Sequence, residues 1–167
     1  MKKQFKPPEH LFHYTCAENL KFILEDGILL PSCSNLRPFD KATYEMRVNP
    51  RSGRLYPWDK NSDYKPVVWL TALKEAEAEN NGNAHSGDDK TEYRIRFIWS
   101  PRFKSWHDFA DENEVEPTWR KRIEHGCRHK FWWVHEGSLS ITDPDVTIWH
   151  RSGNSWEDIT STPSKYL

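Results

Sequence analysis

Three short stretches carry side chains that could do chemistry together. His13-Tyr14-Thr15, Trp69-Leu70-Thr71 and His135-Glu136 each lie at the end of an apolar run that reads as a strand. Sheet ends are places where side chains from distant parts of a chain converge on one ligand. A neutral histidine can hydrogen-bond a ribose hydroxyl, and an aromatic ring can stack on a flat heterocycle. A carboxylate can orient a 2′-hydroxyl and steady positive charge that develops on a sugar ring. The glycosidic bond of a nicotinamide nucleotide breaks through such an oxocarbenium-like state. The same residues also fit a plainer account, with His13 and Tyr14 as hydrogen-bonded core polar groups and Glu136 as a turn residue.

The element that must position the first stretch runs from Leu11 to Leu30. Leu11 and Phe12 form an apolar run ending at His13 and Tyr14. Thr15 stands where a helix N-cap is expected, and Glu18 follows at the capping-box spacing. Leu20, Ile23 and Leu24 mark one helical face, and Gly27 fits the C′ position, where a positive φ costs glycine little. The pattern predicts strand, helix and second strand. It places His13 and Tyr14 just before a helix N-terminus, where donors can be aimed at an anion.

Residues 1–10 read as a polar lead-in, stiffened by Pro7-Pro8. Residues 31–66 read as a long irregular region, which could close over a ligand cleft. It interleaves Arg37, Arg47, Arg51 and Arg54 with Tyr44, Tyr56, Trp58 and Tyr64, as suits a ligand with phosphates and a flat ring. A solvated loop pinned by a few aromatics is the equal alternative. Val67–Thr71 predicts a buried strand, and Thr71 could cap a brief helix over 72–77. Residues 80–90 read as a surface loop. Thr91 to Trp99 alternates, with Tyr93, Ile95, Phe97 and Trp99 on one face and Arg94 and Arg96 on the other. A turn or short helix is expected around Trp106 and a helix over 117–128. Strands are expected at 131–135 and 146–150, and a last short piece at 156–159. Strands outnumber helices and lie mostly in the second half, so the fold class expected is α+β with a bent or split sheet.

The bulk composition limits the alternatives. The 167 residues fit one domain, 1–167. Lys and Arg total 24 against 25 Asp and Glu, which argues against a protein devoted to a phosphate backbone. The mean hydropathy of -0.91 is low, but aromatics make up 14 %, including nine Trp, which a disordered chain would lack. The widely spaced Cys16, Cys33 and Cys127 suggest no disulfide framework and hence a reducing compartment. No apolar run follows the basic N-terminus and none approaches the length of a membrane span. A cytoplasmic protein with no membrane partner is therefore expected.

Residues suited to two other chemistries are also present. His125, Cys127 and His129 alternate, but at a helix end they would diverge, so no metal site is expected. Basic residues from Arg94 to Lys130 are interleaved with Trp99, Trp106 and Trp119, which could grip a single nucleic-acid strand. Acidic residues from Asp108 to Glu116 would cancel much of that field, and a mixed solvated surface is the better account. Neither a Gly-x-Ser-x-Gly motif nor a phosphate-cradling glycine loop is present.

In three islands the sequence resembles the ADP-ribosyltransferase-like superfamily. Leu11-Phe12-His13-Tyr14-Thr15 with the following helix and Glu25-Asp26-Gly27-Ile28-Leu29 is similar to its first motif. DNA-targeting ADP-ribosyltransferase toxins and RNA 2′-phosphotransferases open in a similar way. Val67–Thr71 resembles the second motif, and Trp132–Gly137 the late strand that often carries a catalytic glutamate. Small bacterial and phage proteins have a similar Trp-Trp-Val-x-Glu stretch. The resemblance implies an α+β fold of that type, with NAD as substrate and transfer of ADP-ribose to a macromolecular acceptor, protein or nucleic acid, in bacterial–phage conflict. It implies Glu136 as the catalytic residue and His13 on the nicotinamide ribose, with Tyr14 and Thr15 beside it. Trp69 or Thr71 would border the nicotinamide pocket, and Arg94 or Arg96 would meet the pyrophosphate. The family's second motif carries Tyr or Ser at its key point, where Trp69 and Thr71 compete here. Non-catalytic nucleotide or protein binding on the same fold, NAD hydrolysis and 2′-phosphate transfer are the alternatives.

Overall fold

The computed structural model describes residues 6–32, 36–37, 42–48, 53, 55–59, 65–75, 90–126 and 128–167, and the backbone alone for 56–59. The fold is α+β. β1 (His10–Thr15) leads into α1 (Ala17–Asp26) and β2 (Ile28–Leu29). β3 (Tyr44–Val48) and β4 (Leu55–Asp59) form a separate antiparallel hairpin. Next come β5 (Val67–Thr71), β6 (Tyr93–Ile98) and β7 (Lys104–Ser105), then α2 (Trp106–Glu112) and α3 (Pro117–Glu124). β8 (Trp132–Glu136), β9 (Leu139–Ser140), β10 (Thr147–Ser152) and β11 (Ser155–Asp158) complete the fold. The main sheet is seven-stranded, in the order β11-β10-β6-β1-β5-β8-β7, and every pairing within it is antiparallel.

This sheet is weakly joined at one seam. β1 pairs with β6 along its whole length, from His10 with Ile98 to Thr15 with Tyr93. β5 likewise pairs throughout with β8. Between β1 and β5 there is one paired position, Phe12 with Thr71. Beyond it the strands part, and Ser32 takes the place beside Val67, exchanging two backbone hydrogen bonds of 2.9 and 3.0 Å with it.

Side-chain alternation then sets the core. Leu11, Ile95, Phe97, Val68, Leu70 and Trp133 face α1, whose Leu20 and Ile23 are buried against them. The opposite face, at the β5–β8 end, packs Val67 and Val134 against Trp106, Phe109 and Ala110 of α2. Trp69, Trp106 and Trp132 meet there, with ring centroids 4.9 to 6.5 Å apart. Much of the aromatic content is thus spent on a second core layer rather than on a cleft.

The structure corrects several expectations. His13 and Tyr14 do lie near the end of a strand, but β1 runs on to Thr15, and as neighbours within it they project to opposite faces rather than acting as a pair. The N-cap of α1 is Cys16, not Thr15, and it makes no side-chain cap; Thr15 stays in the strand, where pairing with Tyr93 claims its backbone. The region 31–66 contains a hairpin rather than irregular chain throughout. Ala72–Glu75 bends instead of forming a helix, although the Thr71 hydroxyl does accept from Leu73 N–H at 3.1 Å. Residues 76–89, Arg51, Arg54, Tyr64, Cys33 and Cys127 lie outside the described residues, as do the side chains of Tyr56 and Trp58. Among the described residues no helix is long and apolar enough to cross a membrane.

Gly27 ends α1 as expected. Its φ is 67°, its N–H bonds to the Ile23 carbonyl at 2.9 Å, and an added Cβ would lie 3.2 Å from the Thr142 methyl. Gly27→Ala therefore combines backbone strain with crowding. It should lower the free energy of unfolding by about 1–2 kcal/mol. Urea denaturation should also show a larger loss than Gly153→Ala, which has a similar φ but open space around it.

Candidate functional site

His13 occupies the seam. Its Nδ1–H donates to the Trp69 carbonyl across the gap at 3.0 Å. A carbonyl can only accept, so the ring proton of the neutral form sits on Nδ1 and Nε2 keeps a lone pair. Burial pushes the His13 pKa below its usual value of 6.5; the bond to Trp69 opposes this and Lys90 adds to it. The ring is thus a neutral hydrogen-bond acceptor at neutral pH, still partly exposed on the side facing a pocket.

That pocket has a volume of about 130 Å³. β1 contributes His13 and Thr15, α1 contributes Asn19, Phe22, Ile23 and Asp26, and the chain from Ile28 to Leu30 closes it. A cavity of roughly 150 Å³ holds one benzene, so the space suits a single ring. Asn19, Phe22, Ile23 and Asp26 follow the i, i+3, i+4, i+7 spacing of one helical stripe. This was the legible signal for Asn19 and Asp26, beside the neighbouring core stripe of Leu20, Ile23 and Leu24. Asp26 is only 7 % exposed, an uncommon position for a carboxylate.

The remaining candidates stand on the other face. Tyr14 donates to the Lys74 carbonyl at 2.7 Å, with the Leu73 carbonyl 2.9 Å away, and burial pushes its phenol up to about 12 despite the nearby Arg94 guanidinium. Trp69 packs against Trp106 and Trp132, and Thr71 is buried. Arg94 lies over the rings of Phe12, Trp149 and Trp156 at 5.1, 5.3 and 4.2 Å and donates to the Lys74 carbonyl at 2.6 Å. Arg96 lies 5.5 Å from the Trp149 ring. Both guanidiniums are engaged with this aromatic ladder rather than with the pocket beside His13.

Glu136 ends β8 opposite Val67, the residue whose other neighbour is Ser32 at the seam. Its carboxylate meets Lys104 Nζ at 3.2 Å and Lys65 Nζ at 3.4 Å. Burial works against its charged form, but the two ammonium groups outweigh it and hold the carboxyl below its usual range. Glu136 is ionised and on the face away from the His13 pocket. Of the candidates, the structure brings His13 and Thr15 together at the pocket. Tyr14, Arg94 and Arg96 form a second group and Trp69 belongs to the core. His135, next to Glu136, turns to the first face and donates to the Gly137 carbonyl at 3.3 Å.

The alternating histidines do not act together. His125 caps the end of α3 and is exposed, while His129 sits on a 3-10 turn and meets His107 instead. No family model, curated protein or solved structure matches this chain.

The lowered pKa of His13 has a defined consequence for stability. In the unfolded chain the imidazole takes up a proton near pH 6.5, while in the fold it resists until lower pH. The stabilisation from its neutral form is present above pH 6.5 and is lost as pH falls through the folded-state value. Urea unfolding at pH 7 and pH 5 should show a smaller difference in His13→Gln than in the unsubstituted protein.

Proposed function

We propose that this domain binds a nicotinamide nucleotide of the NAD type at the seam between β1 and β5 and transfers its ADP-ribosyl group to a macromolecule. The observation that carries the reading is the neutral His13 wedged in that seam beside a ring-sized pocket. Its free Nε2 suits a ribose hydroxyl, and the pocket suits a flat ring such as nicotinamide. The fold would then be of the ADP-ribosyltransferase-like type, with the parting of the sheet as its cleft.

In this reading the bond between C1′ and the nicotinamide nitrogen breaks, and nicotinamide leaves with the electron pair. The acceptor's nucleophile then bonds to C1′ and loses its proton. The carboxylate that would support the positive charge on the sugar is Glu136, which its lysines keep ionised and which would have to act across the seam from the pocket. A specific observation favours a second reading, binding without transfer. Both lysines already engage Glu136, and it stands on the other face from the pocket.

Incubation with NAD, with free nicotinamide followed over time, separates the two readings. Transfer predicts turnover that falls about 100-fold or more in Glu136→Gln, the usual scale for losing an electrostatic stabiliser. Saturable binding of NAD or ADP-ribose, weakened in His13→Ala but without turnover, identifies the binding module. Absence of binding to either ligand overturns the nucleotide reading.

A further inference from the structure

At the far end of the sheet, His107 of α2, Glu124 of α3 and His129 of the following 3-10 turn converge, with one donor atom from each lying within 4.8 Å of the others. All three side chains are half-buried. Their place is fixed by good local structure. The Ser105 hydroxyl caps α2 at 3.1 Å from Asp108 N–H, and the Glu116 carboxylate caps α3 on the N–H groups of Thr118 and Trp119. The buried Trp106 donates from its indole to Glu124 at 2.6 Å, which locks the carboxylate onto α2.

The two imidazoles approach to 3.0 Å between His107 Nε2 and His129 Nδ1. Arg120 stands on the other ring nitrogen, with Nη2 at 2.8 Å from His107 Nδ1. A guanidinium can only donate, so His107 accepts at Nδ1 and carries its proton on Nε2, aimed at His129 Nδ1. A proton therefore occupies the point on which the ring nitrogens converge. Two nitrogens bound to one tetrahedral zinc at about 2.0–2.1 Å would stand about 3.3 Å apart, close to the spacing already present.

We infer that His107, His129 and Glu124 form a site for a divalent metal ion of the zinc class, which takes the place of the proton shared between the two imidazoles. Two imidazoles and one carboxylate are a common zinc donor set, leaving a fourth position for water or substrate. On loading, the His107 proton moves from Nε2 to Nδ1, so the ring stays neutral and no net proton is released. Arg120 then gives up His107. Asp111, one turn along α2 from His107, already holds Arg120 at 2.5 Å and keeps it beside the cluster. Asp111 and Glu124 against Arg120 leave one net negative charge, which favours a cation. Of the three ligands, Glu124 also lines an open hollow of about 440 Å³ beside α3.

Titration of untagged, chelator-treated protein with zinc chloride tests this in a calorimeter. One zinc per chain is expected. His107→Ala and His129→Ala should each weaken binding by about 100-fold or more, since loss of outer partners alone costs 10–100-fold. His125→Ala, adjacent but outside the cluster, should bind as the unsubstituted protein does. X-ray absorption of the zinc-loaded protein needs no variant and should show two imidazole nitrogens and a carboxylate oxygen. No stoichiometric binding, undiminished binding in the histidine variants, or a shell with a sulfur or a single imidazole would overturn the assignment.

Discussion

The hydrogen bond from His13 to the Trp69 carbonyl holds together a sheet that its backbone ladder nearly fails to close. β1 and β5 share one paired position, after which Ser32 enters between them. The Trp69 carbonyl faces this gap. An imidazole donating from Nδ1 reaches it at 3.0 Å. Because that bond fixes the tautomer, the same contact that closes the sheet leaves Nε2 as an acceptor beside the pocket. Structure and the proposed ligand chemistry therefore depend on one proton position.

One face of the sheet, in both halves, is buried with α1, and the β5-β8 end has a second cover on its other face. The β11-β10-β6-β1 half rests on α1 and the aliphatic and aromatic layer of Leu11, Ile95 and Phe97. The β5-β8-β7 half is covered on its other face by Trp106 and Phe109 of α2. Trp106 is fully buried and also has its N–H satisfied by Glu124, as a buried indole requires. The core shared with α1 spans the junction of the two halves, where the backbone ladder has a single paired position.

The sequence made some of this legible and left some of it hidden, for identifiable reasons. β5 was readable residue for residue because a proline precedes a short apolar run rich in β-branched residues. β6 was readable because Arg94 and Arg96 alternate strictly with Tyr93, Ile95 and Phe97. The end of α1 followed from Gly27. Its start did not, because Thr15 looks like a cap by type while pairing with Tyr93 keeps it extended. Grouping His13 with Tyr14 as a pair overlooked the period of two in a strand, which sends neighbours to opposite faces. The approach of His107 to Glu124 and His129 was invisible, because it depends on how α2 and α3 pack rather than on any spacing along the chain.

Three histidines and two carboxylates of this fold respond to acid in the same direction. Burial lowers the pKa of His107 and His135 as it does that of His13, so each is held neutral in the native state. An unfolded chain binds more protons at these positions near pH 6, so stability there rises with pH. The carboxyls of Glu116 and Glu136 are also held low, Glu116 by the N–H groups it caps and Glu136 by its lysines in spite of burial. They too stabilise the folded form above the ordinary carboxylate range and lose that contribution as pH falls through their folded-state values. The groups are spread over the seam, the α2–α3 unit and the end of β8. Acid therefore weakens the helix cap, the α2–α3 unit and the seam alike. A neutral His13 is also what the proposed reading of its pocket requires, so the protonation that weakens the fold removes the same acceptor.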